Sequence, residues 1–449
     1  MRLLVLCSLL ATLSPLSLCE RRNPEVCSND PGFECEGGQF CSIPDGQNSG
    51  TCIQAECGTG LAACPVARPL CQSGRCVACV LDGDCSAAST ATPVCVAGTC
   101  VACRDSSQCR DANKKVCDAS THTCRGCQLH SECSPGVCAK DDTFAMLATP
   151  IVAGTCVDAS MVNEVDTSCG AGCALQSVLQ SVTAAKPYVR VNRYTSNAKI
   201  TVPALPAGLP TFYVIGPMAD SAPTTISAAP QQNLAFSSGT ALEVPGGAHI
   251  ALEGMVISGA KVGIDCVSTS MVPGGQTTRL RIIRSLLAAN QQAIKASARC
   301  ELDIDQTWLG KGPSPAFAAL SSSNDATLLL DSTQLRLTNS VLWHNGKPTN
   351  TFGSIKVSDT AGLQPSLHIV NSTFAKNDFA SAVQQVYAID CDYATNGNLA
   401  IVNTLFWNEP GPTGGYTYVN ANCRPAGSTR ALASNEAALT GVGSVTLPD

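Results

Sequence analysis

Two aspartates, Asp265 in the stretch GIDC and Asp390 in AIDC, are the strongest candidates for acid–base chemistry in this chain. Cleavage of a glycosidic bond normally uses two carboxyl groups held at a fixed gap across the sugar. These two lie 125 residues apart in the sequence, so they act together only if the intervening chain folds over between them. Otherwise both are predicted to be outward-facing structural residues.

A second set of acids, Glu301, Asp303 and Asp305, alternates along one predicted strand. Arg279 and Arg281 lie 22 residues earlier with the same spacing. Opposite charges on adjacent strands stabilise a sheet by roughly 0.2–1 kcal/mol for each pair. We interpret the set as a charge-paired outer face. A lyase would instead use nearby basic groups to abstract protons or bind carboxylates, and the candidates are Arg279, Arg281, Arg284 and Lys295.

Other site chemistry has weaker support in the sequence. None of the five histidines has a partner at metal-ligand spacing, and no Gly-rich phosphate loop joins a strand to a helix. Trp343 and Trp407 could stack on a sugar ring, although aromatic side chains more often fill interiors. We predict no metal, no cofactor and no catalytic residue. The candidate binding residues are Asp265, Asp390, Trp343 and Trp407.

Three similar lines reveal the elements that carry these residues: LRLTNSVLWHNG from Leu335, LHIVNSTFAKND from Leu367 and LAIVNTLFWNEP from Leu399. The lines are 32 residues apart, and their apolar residues alternate as in a strand. Asn339, Asn371 and Asn403 occupy one column. We predict that these amides stack one coil apart in an inward-facing structural ladder.

Fainter copies of the line, such as IALEGMVISG and LRIIRSLLAAN, precede the three clear ones. A repeat of this length with strand alternation is typical of a solenoid in which each unit forms one coil. Before it, Leu175, Val178, Leu179 and Val182 recur at helical spacing. They predict a helix that caps the open apolar end of the solenoid.

This pattern resembles the right-handed parallel β-helix family, the pectin-lyase-like fold, over about residues 168–425. The Asn-Ser-Thr-Phe wording is also similar to polymorphic outer-membrane and autotransported surface proteins. The resemblance implies an all-β parallel β-helix with an N-terminal capping helix. It does not imply one activity, because the fold carries lyases, hydrolases, adhesins and inert stalks. The usual Asn-Thr-Asp, Gly-His-Gly and Arg-Ile-Lys wording of its glycosidases does not occur in this part of the chain.

Residues 20–158 hold 20 of the 28 cysteines, arranged as five consecutive groups of four. Cys79, Cys103 and Cys127 repeat at 24-residue intervals. Each group is too short for a hydrophobic core, so we predict two disulfides per group rather than zinc sites. Four cysteines permit three pairings, which the sequence leaves open. In style the groups resemble EGF or TNF-receptor repeats.

The N-terminus, MRLLVLCSLLATLSPLSLCERR, has a basic residue followed by a short apolar run and is predicted to be a secretory signal. The signal peptide can be processed in two ways. In the first, it is cleaved after Cys19. In the second, LSLC is a lipoprotein box in which Cys19 is acylated, although Leu18 departs from the usual residue before that cysteine. Without Cys7 and Cys19 the cysteine count is even. The predicted domains are a signal peptide (1–19), disulfide-rich repeats (20–158) and a β-helix (159–449).

Four later cysteines, Cys266, Cys300, Cys391 and Cys423, are predicted to clip neighbouring coils, with Cys391 paired to Cys423. Asn371-Ser372-Thr373 matches the N-glycosylation motif. Because we place Asn371 in the inward ladder, the sequence favours an unmodified side chain there.

A net charge of −6 with 14% charged residues argues against a nucleic-acid partner. We predict an extracellular or outer-surface protein, bound to a membrane only if Cys19 is lipidated. It would be a non-catalytic β-helix for adhesion, display or binding of a polysaccharide or surface protein. One alternative is a polysaccharide lyase or glycoside hydrolase acting on acidic polysaccharide. In another, the cysteine-rich repeats bind the partner and the β-helix is a spacer.

Overall fold

The structure is a computed structural model that describes residues 26–28, 35, 39–43, 47–58, 61, 63–111, 113–166, 175–193, 198–220, 234–235, 239–267, 277–288, 290–310, 327–343, 352–375, 385–392, 398–407 and 417–421. The predicted signal peptide with Cys19, and also Cys423, lie outside these ranges. The chain forms two compact units, Met1–Arg125 and Gly126–Asp449. Within the described ranges, no helix is long and apolar enough to cross a membrane.

The first unit is built from short antiparallel strands. A three-stranded sheet of order β1-β3-β2 is followed by the hairpins β4–β5, β6–β7 and β8–β9. A short α-helix, α1 (Asp82–Ala88), and a 3-10 helix, Ser106–Gln108, lie between strands. The strands are β1 (Val26–Ser28), β2 (Gln39–Ser42), β3 (Ser49–Gln54), β4 (Leu70–Gln72), β5 (Arg75–Val77), β6 (Val94–Val96), β7 (Thr99–Val101), β8 (Val116–Asp118) and β9 (Thr123–Arg125).

Two hairpins turn through two consecutive residues with positive φ, the second of which is a glycine. Ser73 and Gly74 have φ of 46° and 77°, and Ala97 and Gly98 have 47° and 79°. Two consecutive residues of positive φ form the type I′ turn, whose twist matches that of the flanking strands. The Gly in each pair adopts this conformation without a Cβ clash. The turn therefore fixes the register of each hairpin.

Every group of four cysteines forms disulfides between its first and third members and between its second and fourth. In the hairpins the third and fourth cysteines occupy paired positions on the two strands; Cys71 and Cys76 are an example. Each of them nevertheless bonds to an earlier cysteine of the group. The prediction of two disulfides per group is confirmed, and the pairing that the sequence left open is now assigned. The bonds are Cys27–Cys41, Cys35–Cys52, Cys57–Cys71, Cys64–Cys76, Cys79–Cys95, Cys85–Cys100, Cys103–Cys117, Cys109–Cys124, Cys127–Cys138 and Cys133–Cys156.

The second unit begins with the fifth cysteine group. Here β10 (Val137–Cys138) pairs with β11 (Cys156–Val157), and 3-10 helices span His130–Cys133 and Ala159–Met161. We call residues 126–158 the fifth repeat. It shares its disulfide pattern with the first four groups but belongs by its contacts to the unit that holds the β-helix.

Three long parallel sheets form the β-helix, so the predicted fold class is confirmed. Sheet A contains β12 (Val162–Asp166), β13 (Tyr188–Arg193), β15 (Phe212–Ile215), β18 (His249–Glu253), β21 (Thr278–Ile283), β24 (Cys300–Asp305), β27 (Gln334–Thr338), β30 (Ser366–Val370) and β33 (Asn398–Val402). Sheet B contains β14 (Ile200–Thr201), β17 (Thr240–Val244), β20 (Val262–Cys266), β23 (Gln292–Ala296), β26 (Leu328–Asp331), β29 (Phe352–Ser358), β32 (Gln385–Asp392) and β35 (Thr417–Ala421). Sheet C contains β16 (Leu234–Ala235), β19 (Val256–Ser258), β22 (Leu286–Ala288), β25 (Trp308–Gly310), β28 (Val341–Trp343), β31 (Thr373–Ala375) and β34 (Leu405–Trp407).

The apolar columns of the three similar lines stack in register. Leu335 pairs with Leu367, which pairs with Leu399, and the next inward column is Leu337, Ile369 and Ile401. In sheet C the rings of Phe374 and Phe406 stack with centroids 4.9 Å apart. Each fully buried side chain of this kind contributes about 1.5–3 kcal/mol, so the repeated columns form a continuous core.

The asparagine column is confirmed, but the prediction that it faces inward is wrong. Asn371 Nδ2 donates to Asn339 Oδ1 at 3.4 Å, and Asn339 Nδ2 donates to Asp305 Oδ1 at 2.9 Å. Asn339, Asn371 and Asn403 are exposed and have φ of 49°, 50° and 48°. Asparagine tolerates this left-handed conformation. The column therefore marks the turn between sheets A and C and leaves the inward position to the next residue.

That inward position carries a ladder of buried hydroxyls, which the sequence analysis missed. Ser340 Oγ donates to Thr338 O at 2.7 Å and accepts the amide of Thr307 at 3.1 Å. The same donation to the carbonyl two residues earlier recurs at every member of the ladder. Buried hydroxyls need such partners, because burial without them costs a few kcal/mol. The ladder consists of Ser285, Thr307, Ser340, Ser372 and Thr404.

A capping helix covers the start of the β-helix, as predicted. In α2 (Leu175–Ser181), Leu175, Val178 and Leu179 are buried. Gln176 binds the first strand of sheet B: its Nε2 donates to Thr201 O at 2.9 Å, and its Oε1 accepts from Thr201 N at 2.7 Å. These two bonds occupy backbone groups of β14, the first strand of sheet B among the described residues.

Disulfides also clip the coils. Cys266 at the end of β20 bonds to Cys300 at the start of β24, and both are fully buried. Cys391 is disulfide-bonded as well. The predicted Cys391–Cys423 pair stays a prediction, because Cys423 lies outside the described residues.

Candidate functional site

The fifth repeat covers the first part of the outer face of sheet A. Phe144 is 0% exposed and packs edge-on against Tyr188, with ring centroids 4.9 Å apart. Tyr213 lies 6.2 Å from the same ring. Tyr188 and Tyr213 are paired outward positions on β13 and β15, so without the repeat they would be exposed to water. The three aromatic side chains therefore bury a large apolar area at this contact.

A buried glutamate joins the repeat to the sheet. Glu253, at the end of β18, is 0% exposed. Lys140 of the repeat places Nζ 3.0 Å from Glu253 Oε1, and the Tyr213 hydroxyl donates to Oε2 at 2.8 Å. Arg284, in the turn after β21, is also ion-paired with the carboxylate. We call Glu253, Lys140, Arg284, Tyr213 and His130 the anchor cluster.

His130 contributes to the anchor cluster through both of its ring nitrogens. Its Nδ1 accepts the backbone N–H of Cys138 at 3.1 Å, and a backbone amide can only donate. The remaining ring proton therefore lies on Nε2, which is 3.2 Å from Glu253 Oε2. His130 is fixed in this tautomer by the strand that carries Cys138.

The pKa values in the anchor cluster follow from burial and charge. Burial alone would raise the pKa of Glu253, but the contact with His130 and the charges of Lys140 and Arg284 hold it well below its usual range. Burial, together with the adjacent Glu253 carboxylate, raises the pKa of Tyr213 well above its ordinary value. The carboxylate therefore stays ionised and the phenol stays protonated.

Two further contacts hold the fifth repeat in place. Asp220 accepts the backbone amides of His130 at 2.6 Å and Ser131 at 2.7 Å, while Lys140 Nζ lies 3.4 Å away. Burial would raise the pKa of Asp220, but these two amides hold it below its ordinary value. On the other side, Asp141 is ion-paired with Arg281 of β21. Burial would lower the pKa of Arg281, but Asp141 raises it.

Beyond the repeat, the outer face of sheet A forms an open groove of about 550 Å³. Its wall on one side includes Thr143 of the fifth repeat. Its floor consists of outward side chains from five consecutive strands, β18 to β30 in sheet A. The lining includes Thr143, Pro210, His249, Arg279, Arg281, Glu301, Asp303, Gln334, Arg336, Ser366 and His368.

The groove side chains form two rows parallel to the axis of the coil. Adjacent members of a row occupy paired positions on neighbouring strands, about 4.7–4.9 Å apart. The first row is His249, Arg279, Glu301, Gln334 and Ser366. The second is Ala251, Arg281, Asp303, Arg336 and His368.

Ion pairs hold the long groove side chains in place. Arg279 Nε lies 2.8 Å from Glu301, and Arg336 lies 3.2 Å from Asp303. This confirms the pairing between Arg279 and Arg281 on one strand and Glu301 and Asp303 on the next. Exposed pairs of this type contribute about 0–1 kcal/mol each, so their main effect is to order the surface.

Asp265 and Asp390 lie on sheet B and do not line the groove. They share one column, in which Lys295, Leu329 and Lys356 lie between them. Four strand spacings separate them by about 19 Å, much more than the gap of a glycosidase pair. Burial raises the pKa of Asp265, and the neighbouring Lys295 partly offsets this.

The tryptophan candidates lie on sheet C, also away from the groove. Trp343 and Trp407 share a column with Ala375 between them, as the repeat predicted. The ring of Trp343 lies 5.9 Å from that of Trp308. The side chain of Trp407 lies outside the described part of the chain. The sequence candidates therefore occupy two different sheets and are not brought together.

Sequence reasoning missed the histidines and Gln334 of the groove. Each stands alone in the sequence, and only the stacking of coils brings them beside the arginines. The sequence did contain one signal for them: polar residues alternate with apolar ones along these strands, which places the polar residues on the same outer face of the sheet. In the described residues, the cysteine clusters with metal-like geometry consist of disulfide-bonded sulfurs, so their sulfurs are not thiolate ligands.

Comparison of the chain with protein families, with curated proteins and with solved structures finds no match.

Proposed function

We propose that this protein is a secreted or surface-tethered, non-catalytic binding protein of the pectin-lyase-like β-helix type. Its ligand is a polysaccharide that lies along the groove of sheet A. The observation that carries the proposal is the pair of polar rows repeating at one-coil intervals along the groove. The predicted signal peptide and the disulfide-rich repeats support an extracellular or outer-surface location.

A row with a regular repeat favours a ligand with a regular repeat. Arg, His, Gln and Ser side chains donate and accept hydrogen bonds in the way that sugar hydroxyls and carboxylates require. The ion pairs also restrict the arginine side chains before the ligand arrives. Less conformational entropy is then lost on binding. The fifth repeat lines one side of the groove through Thr143 and would limit the ligand there.

A lyase or glycoside hydrolase is the second candidate, and one feature favours it. Glu301 and Asp303 are outward neighbours on β24, and their backbone positions are about 6.6 Å apart by the rise of a parallel strand. That gap falls within the range of inverting glycosidases. Arginines contact both carboxylates, however, and an adjacent positive charge favours the ionised form, whereas a general acid must be protonated. The binding role is therefore the better supported of the two.

In the other alternative the cysteine-rich unit binds the partner. A cavity of about 560 Å³ lies between its third and fourth repeats. Arg110, Asp111 and Lys114 line it together with Asp82. Its mixed charge suits a polar partner, but it lacks the long repeating rows of the groove.

Isothermal titration with a panel of neutral and acidic polysaccharides tests the proposal. We expect one class to bind, and the Arg336→Gln and His368→Ala variants to weaken that binding at least tenfold. Lys356→Gln, on the outer face of sheet B, is the matched control and should bind like the wild type. The same mixtures are assayed for new reducing or unsaturated ends. Turnover would show that the protein is an enzyme. Binding that is unchanged in both groove variants would show that the groove is not the binding site.

A further inference from the structure

We propose that Asn371 is an N-glycosylation acceptor. Asn371-Ser372-Thr373 is the only Asn-x-Ser/Thr motif with x other than Pro in the 449 residues. The sequence alone favoured a bare, inward asparagine. In the structure Asn371 is exposed, because the left-handed turn gives the inward position to Ser372.

The local hydrogen bonds are compatible with a glycan. The backbone N–H of Asn371 donates to Val402 O at 3.0 Å, so the turn does not depend on the side chain. Asn371 Nδ2 donates to Asn339 Oδ1 at a long 3.4 Å. An amide nitrogen has two protons, and glycosylation uses one. The other can keep the bond to Asn339.

The surface beside Asn371 gives a second reason. Val402 and Leu405 are large apolar side chains that are 41% and 50% exposed. They pair with Val370 and Thr373, the residues that flank the Asn371 turn. A glycan on Asn371 would lie next to this apolar patch and shield it from other proteins.

The reaction joins Asn371 Nδ2 to the anomeric carbon of an oligosaccharide carried on a lipid diphosphate. The bond between that carbon and the phosphate oxygen breaks, the lipid diphosphate leaves, and Nδ2 loses one proton. This donor is present in the secretory pathway of eukaryotic cells. The inference therefore rests on the secretion part of the proposed function and is independent of the groove ligand.

The asparagine column supplies internal controls. Asn339 and Asn403 have the same backbone conformation, but Val341 and Leu405 replace the hydroxyl residue of the motif. Ser372→Ala keeps the motif and removes one hydroxyl of the buried ladder. Thr373→Val removes the motif and keeps the shape of the strand residue. Leu405→Thr creates a second motif at Asn403 in the same type of turn.

The test is to produce the full chain in secreting eukaryotic cells and to map its peptides by mass spectrometry before and after amidase removal of N-glycans. We expect Asn371 to be glycosylated in the wild type and in Ser372→Ala, and bare in Thr373→Val. Leu405→Thr should gain a second glycan at Asn403. A released chain that is bare at Asn371 would overturn the inference and leave secretion intact. A glycosylated chain that cells retain would support the inference and count against secretion.

Discussion

The fifth cysteine repeat and the four before it share one disulfide pattern but differ in what surrounds their bonds. In the first unit the buried apolar residues are mainly cysteines, joined by Val94 and Val116. The fifth repeat instead buries Val137, Phe144 and Ile151 in the same core as the β-helix. The same disulfide pairing therefore occurs both in repeats with little apolar core and in a repeat that is packed into the core of the β-helix.

The difference shows how a stapled module becomes part of a larger domain. A small repeat without a core depends on disulfides that restrict its unfolded chain. The fifth repeat adds Phe144, which packs on Tyr188 of sheet A. It also adds Lys140 and His130, which contact the buried Glu253 carboxylate of sheet A. Its stability should then depend on contacts with the β-helix as well as on its two disulfides.

The largest expected effect follows from removing the charge of Glu253. Glu253→Gln leaves the partly buried Arg284 without its counter-charge and Lys140 with Asp220 still nearby, which costs up to about 3–5 kcal/mol. Chemical unfolding followed by a probe in the fifth repeat measures the loss. Glu243→Gln is the matched control, because its partner Lys199 is half-exposed and such pairs contribute about 0–1 kcal/mol. Equal effects of the two variants would show that the anchor cluster does not hold the repeat.

Phe144→Ala should have a similar or slightly smaller effect. Removing a fully buried aromatic ring typically costs about 3–5 kcal/mol, depending on how far the cavity collapses. Met146→Ala, two residues away, is the control, because Met146 is 95% exposed. Hydrogen exchange should rise across residues 126–158 in Phe144→Ala and stay unchanged in the first unit. A uniform rise in both units would contradict the assignment of the repeat to the β-helix.

Disulfide removal tests the comparison directly. Replacing Cys85 and Cys100 by alanine should unfold the third repeat locally, because a disulfide in a small module contributes about 2–5 kcal/mol. Replacing Cys133 and Cys156 should leave the fifth repeat docked, since Phe144 and the anchor cluster remain. Hydrogen exchange at each repeat gives the readout. Loss of docking in the second variant would mean that the fifth repeat depends on its bonds as the others do.

Much of this architecture could be predicted because it repeats. The four-cysteine spacing, the apolar columns and the asparagine column each recur in the sequence, and recurrence sets the register. The direction of the asparagines could not be read from the pattern, because it depends on one left-handed φ at the turn. The hydroxyl ladder was visible as a Ser or Thr after each of these asparagines, but it needed the turn geometry to be recognised.

The contacts of the fifth repeat were less predictable than the groove rows, because they join distant segments that do not repeat. Arg281 meets Asp141 across 140 residues, and Asp220 meets His130 across 90. Neither pair has a spacing that a motif could reveal. The candidates chosen from the sequence, Asp265 and Trp343, were local features, and the coil placed them on other sheets.

Acid should weaken the fifth repeat gradually. The folded pKa of Glu253 lies below its ordinary value of 4.5, so folding favours the ionised form. Its contribution is fully present above pH 4.5 and is lost as the pH falls toward the lower folded pKa. For one proton, the free energy of unfolding falls by at most about 1.4 kcal/mol per pH unit. Hydrogen exchange in residues 126–158, measured from pH 6 downward in steps corrected for intrinsic exchange, should show protection falling only below about pH 4.5. Glu253→Gln should remove the Glu253 part of this dependence and leave the part from Asp220, whose pKa is also lowered, whereas Glu243→Gln should keep both. If the variant without the carboxylate retained the wild-type pH profile, the acid sensitivity would have to come from another group, and the anchor cluster would not be what distinguishes the fifth repeat.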